Sequence, residues 1–412
     1  MPSSGGAVFW KIFAPASWPE PPAEMTVSAL REIEACPRRW ALASAEYPGL
    51  WEGRGYPPRL QVSSLAGTVV HRTLERMTKE LVRAGCPAFD NPMAGQILRN
   101  LGGYSKIVLE SIDKAVERFA ENPRAARSRD LALRSLRVQV PELRARVQTL
   151  VGRITFPTMG ATAAPAPGVH ARQRGPLSPG AYPEVELRVA RIGWKGKVDL
   201  LILSPQACEI VDFKTGAEAE EHRFQVRAYA LLWSREDDLN PSRRIASKLT
   251  LAYMGKNVDV EAPTGAGLES IEGEMVARAH AARSAVATLP PRANPTADNC
   301  GRCGVRHLCD EYWTSGVQRD LAFSLGTARP SFADFQVLVV ERNGPSSWDA
   351  VVEVSRDVAG GNRAVVRTGR DEAHLQVGQR VRILDAHMAE GHDEQAQPVI
   401  LTIGSQSEVY SA

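Results

Sequence analysis

The chain has 412 residues, too many for one ordinary core, so two or three domains are expected. Hydrophobic residues make up 43% and charged residues 24%, the balance of a soluble globular protein. No apolar run approaches the roughly 18–20 residues that a membrane helix needs, which argues against a membrane partner. The net charge of +3 is unevenly spread: residues 330–412 hold seven Arg, no Lys and twelve acidic residues, a net −5 that leaves +8 on the rest. A basic body joined to an acidic tail fits a body that meets polyanions, with chance variation between domains as the plainer alternative. Residues 1–6 show no basic segment leading into a long apolar one, so no secretory signal is expected and a cytoplasmic location is read by default. In that compartment six cysteines point to metal or redox chemistry rather than disulfides.

In chain order, residues 1–24 are rich in Pro, Gly and Ala and read as a flexible N-terminal arm. A helix is expected to open near Ser28 as N-cap and to run through Cys36 into the Pro37 region. A second, over about residues 65–82, would carry Val69, Val70, Leu74 and Met77 on its apolar face. Residues 95–153 read as mostly helical with breaks near Pro123 and Pro141. They carry Arg124, Arg127, Arg129, Arg134, Arg137, Arg144, Arg146 and Arg153, a basic surface for a nucleic-acid backbone. Residues 155–181 read as a Pro/Gly/Ala linker or a long mobile loop.

From Pro183 the texture changes to alternating Val, Ile and Leu, giving three strands with turns near Gly193 and at 204–207. A helix at 220–233, a strand at 248–253 and a helix at 268–287 follow, and then a cysteine-rich segment from Cys300 to Cys309. Beyond Arg329 come five short strands within about 80 residues, separated by turns, which suggest a small OB-like β-barrel or a sandwich.

The strongest chemical signal is Asp199 with Asp212 and Lys214. A turn centred between Pro205 and Gln206 pairs Leu203 with Cys208 and brings Asp199 opposite Asp212. Directly opposed residues lie about 5 Å apart at Cβ. Lys214, two residues beyond Asp212, shares its face. Two facing carboxylates among apolar residues need a positive charge between them, and a hard divalent cation such as Mg2+ or Mn2+ supplies it. A cation held there activates water and stabilises charge on a phosphate in flight. A solvated edge hairpin with ordinary surface charges is the bland alternative.

GKVDL followed by IVDFKTG resembles the core of the PD-(D/E)XK nucleases, especially RecB-like and Cas4-like exonucleases. The resemblance implies an α/β, restriction-endonuclease-like nuclease core over residues 25–325, with 85–180 as a helical insertion and loop, and the OB-like domain over 330–412. GTVVH supplies His71 where the family has a further metal ligand, so the implied metal set is His71, Asp199 and Asp212. QVRAY supplies Gln225 and Tyr229 where the family has Q-x-x-x-Y on the helix after the lysine. PEVEL places Glu186 at an often acidic position, with Glu184 on the same strand face as an equal contender.

Cys300, Cys303 and Cys309 supply three thiolates within ten residues, a four-coordinate site needs a fourth ligand, and Cys36 stands far upstream. One early cysteine and a late C-x2-C-x5-C resemble the split cluster site of Cas4-like and AddB-type nucleases, which implies a [4Fe–4S] cluster on Cys36, Cys300, Cys303 and Cys309. Tetrahedral zinc on the same four thiolates is the rival. Cys86 lies off the pattern, Cys208 reads as a core residue, and His307 is the less suited substitute ligand.

The resemblance implies a DNA partner, as single strands or duplex ends, and a role in DNA repair or defence against foreign DNA. No G-x-x-x-x-G-K-[ST] is present, so unwinding would need a separate helicase or ATPase subunit. A non-cleaving DNA-binding or scaffold subunit is the rival reading. The acidic tail domain has few aromatics, Phe332, Phe335, Trp348 and Tyr410, so partner docking or a stabilising cap suits it at least as well as single-strand binding.

Overall fold

The computed structural model describes residues 11–12, 14–51, 53–126, 128–154, 175–315, 332–355, 358–369, 375–389, 398–404 and 406–411. Thr26, not Ser28, caps the first helix, accepting from Ala29 N at 3.1 Å. That helix, α1 (Val27–Ala35), stops where Cys36 turns extended, and α2 (Pro37–Ser44) starts afresh. The single helix expected through Cys36 is therefore two: Pro37 has no N–H to continue a ladder and is suited to a first turn. The described part of the N-terminal arm is not loose. Ala16 N donates to Glu46 O, Ile12 N to Ser411 O, and Arg283 donates to the carbonyls of Pro22 and Ala23.

The central sheet is built largely in chain order. β1 (Gly180–Val189), β2 (Trp194–Leu203) and β3 (Cys208–Lys214) form an antiparallel meander. Gly193, at φ +66°, makes the first turn, a conformation that favours glycine. Ser204 closes the second, with its N–H donating to Ala207 O. α8 (Glu220–Arg235) then carries the chain over one face, so β4 (Lys248–Tyr253) joins β3 in parallel. β5 (Asn257–Val260), too short to stand out in the sequence, completes the order β1-β2-β3-β4-β5.

Each sheet face has its own core. On one side Leu201, Leu203, Ile210 and Leu251 pack with α8 and α9 (Gly265–Ala287) and with α1. On the other side Leu200, Ile202, Val211 and Phe213 meet α3 (Val62–Arg83), α4 (Pro92–Asn100), α5 (Gly103–Glu117), α6 (Arg129–Val138) and α7 (Val140–Val151). The stretch read as an insertion thus supplies most of that layer as far as Ile154. The linker's residues 155–174 lie outside the described residues.

After the short α10 (Ala297–Gly301) and α11 (Asp310–Thr314) come, among the described residues, six strands where five were expected. They are β6 (Phe332–Gly344), β7 (Ser347–Ser355), β8 (Arg363–Thr368), β9 (Arg380–Met388), β10 (Val399–Ile403) and β11 (Glu408–Ser411). β10 pairs with both β8 and β9, which closes a barrel-like sheet, and β11 adds to β9. Phe335, Trp348 and Tyr410 lie buried in the protein interior, so among the described aromatics only Phe332 faces solvent there.

Buried ion pairs join this sheet to the rest. Arg124 forks onto Glu408 through two bonds of 2.8 Å, with side chains 1% and 9% exposed. Arg306 bonds Asp334 at 2.6 and 3.2 Å, and Tyr312 Oη donates to the same carboxylate at 2.7 Å. Burial alone would raise Asp334 and Glu408, but the guanidiniums of Arg306 and Arg124 hold both carboxyls below their ordinary range. Two of the tail's twelve carboxylates, Asp334 and Glu408, are thereby paired inside the molecule.

Candidate active site and thiol cavity

The β2–β3 register is the one the turn dictates: Leu203 opposes Cys208 and Leu200 opposes Val211. One step further, Asp199 faces Asp212 where the ladder ends, and Phe213 N donates to Asp199 Oδ2 at 2.7 Å. Asp212 is 2% exposed. Burial, then the Asp212 charge, pushes the Asp199 carboxyl well above its ordinary range. Lys214 Nζ stands 2.5 Å from Asp212 Oδ2, yet the contact is not aligned as a hydrogen bond, and that buried oxygen lacks one among the described residues. Two facing buried carboxylates beside one ammonium carry an excess of negative charge, which a divalent cation would offset.

α8 extends the site. Lys214 Nζ donates to Gln225 Oε1 at 2.8 Å, and Gln225 Nε2 donates to Tyr229 Oη at 2.7 Å. Gly196 makes this approach possible, since a Cβ there would lie 2.8 Å from Tyr229 Cε1. From the other side α3 brings His71, whose Nδ1 is 3.8 Å from Asp199 Oδ2. Burial lowers its pKa, so the ring is neutral near pH 7 with a lone pair to offer. Gly67, one turn earlier on α3, passes Thr215 closely, with room for a Cβ only 3.2 Å from Thr215 Oγ1.

Of the two acidic contenders on β1, Glu184 is the one that bears on the site. It sits between the pairs Pro183–Leu200 and Val185–Val198, opposite Asp199, and its charge helps to raise the Asp199 pKa. Its φ of +59° is left-handed, uncommon for a residue with a Cβ and often found at functional positions. Lys197, the backbone partner of Glu186 across the β1–β2 ladder, turns its ammonium to the Glu184 carboxylate. Among the described residues no three His, Cys, Asp or Glu side chains are gathered tightly enough to form a ready metal-binding group. The expected triplet of His71, Asp199 and Asp212 is therefore two facing carboxylates with His71 set back.

Much of the expected basic surface is committed elsewhere. Arg124 is buried, Arg137 pairs with Asp113, Arg146 with Glu142, and Arg153 donates to the carbonyls of Tyr253, Met254 and Gly255. Arg134 and Arg144 remain exposed, and the side chain of Arg127 lies outside the described residues.

The four singled-out cysteines line one small cavity of about 20 Å³, together with Arg38, Arg39, Asn294, Asn299 and Arg306. Asn294 N donates to Cys36 Sγ at 3.4 Å. Burial pushes the Cys300 thiol up to about 11 and the Cys309 thiol up to about 12. Cys86 belongs to the helical layer and Cys208 to the α8-side core, away from this cavity. His307 is fully buried and turned elsewhere, with Nε2 2.7 Å from Tyr56 Oη and its ring stacked 3.9 Å from Tyr410.

No curated protein matches this chain. Among solved structures, one described as the crystal structure of SSO0001 is 20% identical with a TM-score of 0.20; the match covers 31% of this chain and 59% of that one. A murine DNA-binding protein bound to double-stranded DNA is 8% identical with a TM-score of 0.16, covering 56% and 93%. Neither likeness is close enough to carry an argument. The family model of the PD-(D/E)XK nuclease superfamily matches residues 24–310, a span that holds every residue of the carboxylate site and all four cavity cysteines. The chain belongs to the PD-(D/E)XK nuclease superfamily.

Proposed function

We propose that this protein is a metal-dependent deoxyribonuclease of the RecB-like branch, cutting phosphodiester bonds of single strands or DNA ends in DNA repair or in defence against foreign DNA. One observation carries the reading: Asp199, Asp212 and Lys214 meet at the end of the β2–β3 ladder, two facing carboxylates beside one ammonium. Asp199 and Asp212 would hold Mg2+ or Mn2+, with His71 joining as the ion draws the site together. The bound ion supplies an activated water and offsets charge on the phosphate. Lys214 positions that water or neutralises the phosphate, Gln225 and Tyr229 hold the ammonium in place, and Glu184 adds negative charge at the rim.

The cavity's donor set fits a [4Fe–4S] cluster on Cys36, Cys300, Cys303 and Cys309. Four thiols line the one cavity, the donor set of either group, and tetrahedral zinc on the same four sulfurs is the rival that metal analysis separates. A backbone N–H to sulfur and three nearby guanidiniums suit a negatively charged cluster. Such a cluster fastens α2 to the segment before the barrel, across 263 intervening residues. The barrel, read as OB-like, caps this centre; its buried aromatics and paired carboxylates favour a bracing or partner-docking role, with a helicase subunit as the partner class.

Cleavage of labelled single-stranded, blunt-duplex and circular DNA with Mn2+ tests the reading. Shortening of linear strands with circles untouched is expected. Tight binding without any cleavage would instead favour a scaffold subunit of a helicase–nuclease complex.

A further inference from the structure

His222, Gln225 and Tyr229 fall at i, i+3 and i+7 on α8, one face of the helix. The latter two belong to the hydrogen-bond chain that starts at Lys214. His222 does not. Its Nδ1 lies 2.8 Å from Tyr253 Oη, with ring centroids 5.8 Å apart. Tyr253 is in turn the direct partner of Lys214 in the parallel β3–β4 ladder. A second polar pair therefore stands beside the lysine, half-buried at the ring of His222, and Arg31 of α1 adds positive charge near it.

The protonation states follow from the surroundings. Burial, then the Lys214 charge, lowers the His222 pKa against the opposing pull of Asp212, with Arg31 lowering and Glu221 raising it further. The ring is neutral at pH 7. Burial raises the Tyr253 pKa, so the phenol keeps its proton. The ring tautomer sets the direction of this bond; in the tautomer where Tyr253 donates to Nδ1, the imidazole proton sits on Nε2 and can donate outward, away from the Lys214 chain.

We propose that His222 contacts substrate: its Nε2–H donates to the phosphate adjoining the one held at Asp199, Asp212 and Lys214, with Tyr253 fixing the ring and Arg31 adding charge. The inference rests on the nuclease reading above and adds a residue to it. Phosphate contacts of this kind set the register of the strand rather than read its bases. A hydrogen bond made equally to bound substrate and transition state appears in KM and leaves kcat nearly unchanged.

Steady-state cleavage by the full chain with Mn2+ tests this, using one strand and a series in which a single methylphosphonate is moved along the cleavage site. His222→Ala is expected to raise KM about tenfold with kcat within about twofold, and Tyr253→Phe to raise it less. His222→Gln, which keeps an amide N–H near the Nε2 position, recovers most of the loss. One methylphosphonate position costs the wild type the same factor and costs His222→Ala nothing. An unchanged KM in His222→Ala, with or without a lower melting temperature, overturns the inference and leaves the nuclease reading standing. So does a methylphosphonate penalty that His222→Ala feels in full at every position. Wild-type protein that cuts none of the strands overturns the nuclease reading, and this inference with it.

Discussion

Asp199 faces Asp212 one step beyond the Leu200–Val211 pair of the β2–β3 hairpin, so two carboxylates meet where the ladder opens. Without a cation this is an unfavourable arrangement, and burial followed by the Asp212 charge raises the Asp199 pKa. A raised carboxyl favours folding below its unfolded pKa and loses that advantage as pH climbs through the folded value. Metal-free wild type should therefore lose stability between acid and neutral pH relative to Asp199→Asn, whose amide still accepts from Phe213 N. Near pH 7 the variant should melt higher than metal-free wild type, and Mn2+ should raise only the wild type. Parallel melting curves for the two proteins across that range would show that the carboxylate is not strained.

His71 is neutral because burial depresses its pKa. Its lone pair therefore stays free as pH falls somewhat below the ordinary histidine value. His71→Ala should raise the Mn2+ concentration needed for half-maximal activity by about 10–100-fold, while saturating Mn2+ restores much of the rate. A loss of rate that no Mn2+ concentration repairs would place His71 in the chemistry instead of beside the ion.

The thiol cavity predicts a brown protein when purified without oxygen, carrying iron and acid-labile sulfide in equal amounts. Cys36→Ala should lose most of the iron and lower the melting temperature, since Cys36 is the only cavity cysteine from the N-terminal half. Colourless protein with stoichiometric zinc would contradict the cluster.

Arg124 and Glu408 form a buried, forked pair between the helical layer and β11. Removing one partner strands a charge, so Arg124→Met should cost about 3–5 kcal/mol by urea unfolding. Adding Glu408→Leu should restore only part, because Arg124 also donates to Pro57 O and Gly304 O, and those carbonyls stay unpaired. Full recovery in the double variant would show that the carbonyl bonds contribute little.

The parts of this molecule that short-range rules govern could be read from the sequence. A two-residue period and a turn at Pro205–Gln206 fix the hairpin register, so the meeting of Asp199 with Asp212 was legible, as were β4 and the run of α8. The break at Cys36 is written in Pro37, which lacks the N–H to continue a ladder and opens α2 instead. What stayed hidden depends on contacts across the chain. The side-chain partners of Arg124 and Arg153 lie 67 to 284 residues away, and nothing local marks those arginines as internal braces rather than a DNA surface. β5 and β11, at four residues each, are held mainly by their neighbours. His222 had a usable signal, its position one turn before Gln225, but its bond to Tyr253 needed the fold.

The most direct measurement is the cleavage rate of end-labelled DNA by purified wild type and by Asp212→Asn and Lys214→Ala, each with Mn2+ and with a chelator. The account predicts cleavage by the wild type that the chelator abolishes and that each substitution lowers by about a thousandfold or more, with folding intact by circular dichroism. Cleavage that survives Asp212→Asn, or a wild type that binds Mn2+ and DNA yet cuts nothing, would contradict it.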